Sequence, residues 1–262
     1  MPVVDLNGLR VHYREDGNST GSTLVFGNSL GTDFRIWDQV VDLLPKSLRI
    51  IRYDKRGHGL TDCPDAPYSM GSLITDAERL LDHLNVKDCV FVGLSIGGLI
   101  AQGLAVKRLD QIRALVLSNT AAKIGNADIW QERIDMVHAQ GLPAMAPTIL
   151  ERWFSKPFRQ TVDVAPWANM LARSPAQGYA GCSAAIAGAD FITPTSGLRL
   201  PTLAIAGDKD GATPPDLVRE TADLIPGSRF HLIKGAGHIP CVENPDEYAA
   251  TLLDFMKEIG HV

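Results

Sequence analysis

Short apolar runs alternate along the chain with longer segments in which apolar residues recur at helical spacing. Runs rich in Val, Leu, Ile, Phe and Ala are typical of strands buried on both faces of a sheet. The predicted strands are 9–13, 23–26, 48–53, 89–92, 114–117, 202–206 and 230–233. The predicted helices are 34–44, 70–84, 96–109, 216–224 and 247–259. This alternation predicts an α/β fold, with a mostly parallel central sheet and helices on both faces.

The alternation stops between residues 121 and 198. That segment carries aromatic residues in helix-like stretches broken by prolines, namely Trp130, Trp153, Phe154, Trp167 and Tyr179 among Pro143, Pro147, Pro157, Pro166 and Pro175. We expect a helical cap at 121–198 inserted into a core formed by 1–120 and 199–262. Repeats, low-complexity stretches and a Gly/Ser-rich linker are all missing, so the sequence does not indicate a second independent domain.

Composition excludes several classes of function. The 25 basic and 30 acidic residues give a net charge of −5, so we expect no nucleic-acid partner. The four cysteines form no C-x-x-C pair, which argues against a zinc site or a disulfide framework. The first residues lack the pattern of a secretory signal, and we expect a cytoplasmic protein.

One uncharged run, 89–106, reaches the lower length limit of a membrane span. It contains four glycines together with Ser95 and Gln102, and it begins with a β-rich stretch. A buried strand that turns into a buried helix fits this pattern better than a span, so no membrane association is expected.

The turn inside this run reads Gly93-Leu94-Ser95-Ile96-Gly97, a G-x-S-x-G sequence between a predicted strand and a predicted helix. In that context the serine lies on a sharp turn with its hydroxyl accessible. The glycines are needed because bulkier neighbours would obstruct a strained backbone. A phosphate-binding turn is the alternative, but neither a P-loop nor a G-x-G-x-x-G sequence is present. We therefore predict that Ser95 is a nucleophile.

A serine nucleophile needs a neighbouring base, usually a histidine that a carboxylate holds in one tautomer. His238 lies in a glycine-rich loop after the strand 230–233, and Asp208 and Asp210 lie in an acidic loop after the strand 202–206. His238 follows Asp210 by 28 positions (238 minus 210), which leaves room for one helix and one strand between them. We predict His238 as the base, while chain order leaves both aspartates open as the acid.

Together these motifs resemble the α/β-hydrolase superfamily over nearly the whole chain. In that family the acid follows a glycine by three residues, which selects Asp210 over Asp208 because Gly207 begins the loop. The resemblance also implies an oxyanion hole made of two backbone N–H groups. By position these belong to Leu30 and Ile96, whose side chains are free to vary because only the backbone donates.

One branch of the superfamily, the 3-oxoadipate enol-lactonases, is similar in more detail. The similar segments are Asn28-Ser29-Leu30-Gly31-Thr32, Glu151-Arg152-Trp153-Phe154, Gly178-Tyr179-Ala180-Gly181-Cys182 and Val242-Glu243-Asn244-Pro245. This resemblance implies a carboxylic ester hydrolase that opens a small anionic lactone, 3-oxoadipate enol-lactone, to 3-oxoadipate in aromatic-compound degradation. A serine triad requires no metal and no organic cofactor, so we expect neither.

The substrate of such an enzyme carries a free carboxylate, so the cap should offer a cation beside aromatic walls. Arg133 and Arg152 are the candidate cations and Trp153 is a candidate wall, although surface arginines on helices are often simply solvated. Other esterases, C–C bond hydrolases, cofactor-free haloperoxidases and non-catalytic receptors on the same fold remain alternatives.

A second pair of chemically active residues, Asp54 and His58, occurs in Asp54-Lys55-Arg56-Gly57-His58-Gly59. The resemblance gives this D-x-R-G-x-G sequence a role in shaping a loop. We prefer that interpretation to a catalytic one because its glycines suit turns and no nucleophile adjoins it in sequence.

Overall fold

A computed structural model describes residues 2–262 and contains an eight-stranded sheet flanked by helices. Its strands are β1 Val3–Asp5, β2 Arg10–Gly17, β3 Thr23–Gly27, β4 Arg49–Tyr53, β5 Cys89–Leu94, β6 Ile112–Ser118, β7 Thr202–Gly207 and β8 Arg229–Ile233. They lie in the order β1-β2-β4-β3-β5-β6-β7-β8. Pairings from β4 through β8 are parallel, while β1 and β2 are antiparallel to their neighbours. The predicted α/β fold with a mostly parallel sheet is confirmed.

The five predicted helical segments agree with the structure to within about two residues. Residues 2–262 contain eleven α-helices. They are α1 Asp38–Leu43, α2 Met70–His83, α3 Ile96–Lys107, α4 Ala127–Trp153, α5 Lys156–Arg159, α6 Ala165–Ala172, α7 Ala176–Ala187, α8 Ile192–Ser196, α9 Pro215–Asp223, α10 Pro240–Glu243 and α11 Pro245–Glu258. The predicted helix 34–44 divides into a 3₁₀ turn, Phe34–Trp37, and α1.

The centre of the sheet is covered on both faces, since every residue of β3 and β5 is buried. The uncharged run 89–106 divides into β5 and α3, as predicted, and α3 is buried over most of its length because it packs on β5, β6 and α2. Among residues 2–262, no helix has both the length and the apolar character needed to cross a bilayer.

Five helices, α4 to α8, lie between β6 and β7. The longest, α4, is interrupted at Gly141, whose φ of 75° is non-helical and is followed by Pro143. The two halves of α4 therefore differ in direction, and α4 packs against α6 and α7. The end of α4 touches the loop after β7, where the N–H of Gly211 donates to the carbonyl of Arg152 over 3.2 Å. This contact brings the helical segment to the carboxyl edge of the sheet.

Candidate active site

Ser95 occupies a strained turn between β5 and α3. Its φ of 59° and ψ of −119° are rare for a residue with a side chain, and such strain persists only where the surroundings impose it. The Ser95 N–H donates to the carbonyl of Ser118 over 3.0 Å, and the Thr120 hydroxyl donates to the Ser95 carbonyl over 2.6 Å. These bonds hold the turn with the Ser95 side chain in a cavity at the carboxyl end of β5.

The two glycines of the motif are required by close backbone approach. A Cβ atom on Gly93 would overlap the carbonyl oxygen of Gly97, and one on Gly97 would overlap the carbonyl oxygen of Gly27. The helix α3 can therefore start immediately beside β3 and β5. This packing explains why the sequence signal around Ser95 is so specific.

His238 is paired with Asp210. Its Nδ1 lies 2.9 Å from Oδ2 of Asp210, and both side chains are almost fully buried. Asp208 lies elsewhere: it accepts a 2.6 Å hydrogen bond from the N–H of Gly235 and forms an ion pair with Lys209. In the structure, Asp210 rather than Asp208 is placed to fix the orientation of the His238 ring.

The Asp210 carboxylate is surrounded by donors. Oδ1 accepts from the N–H groups of Ala212 and Thr213 over 2.7 and 3.0 Å, and Oδ2 accepts from Thr213 Oγ1 and Asn119 Nδ2 over 2.8 and 2.9 Å. Burial opposes ionisation of Asp210, but the charge of His238 and the hydrogen bonds from His238, Asn119 and Thr213 outweigh it and lower the pKa. Asp210 therefore stays negatively charged beside the imidazole.

Sequence reasoning missed Asn119 and Thr213, which complete the surroundings of Asp210. Asn119 lies directly after β6 with a positive φ of 44°, in a polar Ser-Asn-Thr triplet that ends a buried strand. That triplet was a usable signal, because the carboxyl ends of parallel strands meet at one edge of the sheet. Thr213 follows Asp210 by three residues, a spacing at which an aspartate side chain can accept from the backbone N–H.

The other ring nitrogen of His238, Nε2, lies 3.3 Å from the hydroxyl of Ser29. Ser29, Ser95 and His238 line one cavity. The backbone of the histidine loop is held from two sides. The N–H of His238 donates to the carbonyl of Trp153 over 2.7 Å, and the N–H of Gly237 donates to the Glu243 carboxylate over 2.6 Å.

Two backbone N–H groups near Ser95 can donate to a bound ligand, because neither has a partner in the part of the chain that the structure describes. Ile96 is the first residue of α3, where N–H groups lack partners within the helix, and Leu30 lines the cavity. Within residues 2–262, neither the Leu30 N–H nor the Ile96 N–H has a hydrogen-bond acceptor. Free N–H groups at this position can stabilise negative charge that develops on an oxygen atom.

The cavity has a volume of about 140 Å³ and is lined by Ser95 and His238 together with residues of the helical segment. Trp153 forms part of its wall and is buried. Arg133 and Arg152 also line the cavity. The structure thus brings all three residues predicted for substrate binding to the same space as Ser95.

Neither arginine has a carboxylate partner within residues 2–262. Arg133 donates to the hydroxyl of Tyr179 over 3.1 Å and lies against the ring of Trp130. Arg152 donates through Nε to the carbonyl of Gly211 over 3.1 Å. Burial, together with the positive charge of Arg133, lowers the pKa of Arg152. Two cations that repel each other across a cavity form a good site for an anion.

Comparison with known proteins places these features in a family. Residues 23–245 match the family model of the α/β-hydrolase fold. The chain is 35% identical to 3-oxoadipate enol-lactonase 2 of Acinetobacter baylyi, covering 96% of this chain and 95% of that protein. It is 32% identical to 3-oxoadipate enol-lactonase 1 of the same organism, covering 98% and 97%.

A solved structure is similar over the same extent. The crystal structure of the enol-lactonase from Burkholderia xenovorans superposes with a TM-score of 0.94 at 36% identity, covering 98% of this chain and 100% of that chain. The similarity therefore includes the helical segment as well as the sheet.

Proposed function

This chain belongs to the α/β-hydrolase family, and on that premise we propose that it is a serine hydrolase that opens the ring of 3-oxoadipate enol-lactone to give 3-oxoadipate. Relatives named 3-oxoadipate enol-lactonase, at 35% and 32% identity, support the substrate. The role in aromatic-compound degradation and the cytoplasmic location are part of the same proposal. Residues 121–198 act as the cap over the site.

One observation carries the proposal: a single cavity is lined both by a nucleophile with its base and by two arginines that have no carboxylate partner among residues 2–262. The first pair suits attack on an ester carbonyl, and the second pair suits a carboxylate on the same molecule. Esters without a charge would leave Arg133 and Arg152 unused. An anionic lactone would use both the nucleophile and the two arginines.

In the acylation step, Ser95 Oγ attacks the ring carbonyl carbon and His238 Nε2 takes the hydroxyl proton. Asp210 holds Nδ1 of His238 and stabilises the imidazolium that forms, which its lowered pKa permits. The carbonyl electrons move to oxygen, and the N–H groups of Leu30 and Ile96 donate to that oxyanion. Because both donors are backbone groups, the fold rather than a mobile side chain sets their positions, and little reorganisation is needed in the transition state.

Collapse of the tetrahedral intermediate breaks the ring C–O bond and leaves an acyl-enzyme. The leaving oxygen departs as an enolate, a weaker base than an alkoxide, so cleavage of the bond needs little acid assistance. The enolate then takes up the proton held by His238 and becomes an enol, which returns the imidazole to its neutral form. The enol then tautomerises to the ketone. A water molecule that loses a proton to His238 attacks the acyl carbon, which releases 3-oxoadipate and restores the Ser95 hydroxyl.

The proposal is tested by comparing kcat/KM for freshly generated enol-lactone with that for its methyl ester, in which the ring is kept and the charge is removed. We expect a preference of about tenfold or more for the anion, from at least one charge-assisted hydrogen bond. A p-nitrophenyl ester serves as the second reference. Higher kcat/KM on the neutral esters would replace the lactonase by a general esterase.

A further inference from the structure

We infer that Lys55 and His58 are positioning residues for the oxyanion hole: they hold the loop that contains Leu30 so that its N–H faces the reacting oxygen. The inference rests on the proposed function, because it assumes that Leu30 donates to the oxyanion. It gives a specific task to the D-x-R-G-x-G sequence, which contains neither the nucleophile nor its base.

Lys55 supports the loop by donating to two of its carbonyl groups. Its Nζ lies 2.5 Å from the carbonyl oxygen of Ser29 and 3.1 Å from that of Thr32. The Lys55 side chain is buried, being only 3% exposed. These carbonyls flank Leu30, so the ammonium fixes the loop on both sides of the proposed donor.

His58 supports the same loop by accepting a hydrogen bond from it, whereas Lys55 donates to it. The N–H of Gly31 donates to Nε2 of His58 over 2.9 Å, while Nδ1 lies 3.2 Å from the carbonyl of Arg56. Nδ1 therefore carries the proton and Nε2 is the acceptor, which requires a neutral ring. Burial and the neighbouring positive charge of Lys55 keep the pKa of His58 well below its ordinary value, so the ring is neutral at neutral pH.

Together the two side chains satisfy the polar backbone groups next to Leu30 and leave the Leu30 N–H without an acceptor within residues 2–262. A charged Lys55 also places a positive charge next to the loop, at its contacts with the carbonyls of Ser29 and Thr32. Both effects favour an oxyanion much more than a neutral carbonyl. Loss of either residue should therefore lower kcat while leaving KM nearly unchanged.

The sharpest test measures Ki for two inhibitors in the wild type and in the variant Lys55→Met. The first is a trifluoromethyl ketone with a carboxylate: Ser95 Oγ bonds to its carbonyl carbon, the Ser95 proton passes to His238, and the carbonyl oxygen becomes an oxyanion. The second is adipate, which forms no oxyanion. Lys55→Met should raise Ki for the ketone, and lower kcat, by about 10- to 100-fold, with Ki for adipate changed by less than about threefold.

Arg56→Met is the matched control. Arg56 lies in the same turn and pairs with Asp76, but its side chain donates nothing to the loop that contains Leu30. The variant therefore loses the ion pair and keeps the support of that loop. It should lower the melting temperature and keep the wild-type ratio of the two Ki values. If the ratio of Ki for the ketone to Ki for adipate were the same in Lys55→Met as in the wild type, the inference would be overturned. Failure of wild type to form the Ser95 adduct would overturn the proposed function and this inference with it.

A second pair of variants decides the matter if Lys55→Met does not fold. His58→Gln keeps a carbonyl acceptor near Nε2, whereas His58→Leu leaves the Gly31 N–H buried without one. We expect His58→Leu to lose kcat and ketone affinity by about tenfold or more, and His58→Gln to recover most of both. Equal loss in the two variants would mean that His58 only fills space.

The pH profile gives an independent readout. Burial lowers the pKa of Lys55 to about 8, so its charge, and the support it gives the oxyanion, are lost as pH rises through that value. Asp33, Asp54, Cys182 and His58 face Lys55. Burial raises the pKa of Cys182 to about 12, so Cys182 does not titrate near pH 8.

Wild-type kcat should therefore fall above about pH 8. The kcat of Lys55→Met should be low at every pH and should show no such fall. An unchanged alkaline fall in Lys55→Met would count against the inference.

Discussion

Replacing Arg133 by alanine removes one of two positive charges in the cavity and should lower activity more on anionic substrates than on neutral ones. Arg133 lines the cavity beside Arg152 and forms no ion pair within residues 2–262. Its guanidinium is therefore available to a substrate carboxylate. The same change also removes the hydrogen bond to Tyr179, a loss that any substrate would experience.

The size of the effect follows from the bond and its surroundings. A hydrogen bond to a charged group contributes roughly 1.5–3 kcal/mol, which is about 10- to 100-fold in kcat/KM. Arg133 is only half-buried, so solvent screening favours the lower end, about tenfold. Arg152→Ala should act similarly. The double variant should lose less than the product of the two, because each arginine is relieved of repulsion when the other is removed.

The assay measures kcat/KM of each variant on the enol-lactone and on its neutral methyl ester. The contacts that Arg133 makes with Tyr179 and Arg152 makes with Gly211 are lost for both substrates. The ratio of kcat/KM on the lactone to kcat/KM on the methyl ester therefore reports only the effect of the substrate charge. Arg173→Ala, an exposed arginine outside the cavity lining, is the matched control and should match wild type. Equal losses on both substrates, or no loss in either arginine variant, would refute the proposed carboxylate site.

Three further predictions concern the reaction itself. Ser95→Ala should lower kcat by about 10³-fold or more with the fold intact, and near-wild-type activity would remove Ser95 from the mechanism. Asp210→Asn should be far more damaging than Asp208→Asn, because Asp210 contacts Nδ1 of His238 and Asp208 instead accepts from the N–H of Gly235, and the reverse ranking would transfer the role of the acid. Chelation with EDTA should leave the rate unchanged, since a serine triad needs no Lewis acid, and a loss restored by a divalent cation would contradict this mechanism.

Much of the fold was predictable because buried parallel strands give strong local signals. β3, β5 and β7 are apolar at nearly every position, and each was predicted to within two residues at both ends. β2 extends four residues beyond its predicted end, through Arg14–Gly17. Its charged, half-exposed outer part hides the strand pattern, and pairing with β4 determines its length.

The site was predictable where a residue type and a turn occur together. Ser95 lies between required glycines. Its proposed partners, His238 and Asp210, follow strands whose ends meet at one edge of the sheet. The supporting residues were harder, because their roles depend on contacts between distant segments. Ser29 and His238 are 209 positions apart, and Asn119 and Asp210 are 91 apart. No local pattern encodes such distances.

The helical segment between β6 and β7 was the least predictable part. Prolines and aromatic residues indicated helices between 121 and 198, but not which side chains face the cavity. The sequence marks Tyr179 as an aromatic residue of this segment and as part of a similar motif, but it does not predict the hydrogen bond between Tyr179 and Arg133. Its contact depends on the packing of α4 against α7 and on the change of direction at Gly141.

The central claim, that Ser95 attacks the lactone carbonyl, is tested most directly by trapping the intermediate. Rapid acid quench of enzyme mixed with enol-lactone, followed by peptide mapping by mass spectrometry, should show an adduct on the peptide containing Ser95. Ring opening releases no fragment, so the added mass should equal that of the whole lactone. Ser95→Ala should show no adduct. An adduct on another residue, or turnover by Ser95→Ala at the wild-type rate, would contradict the account.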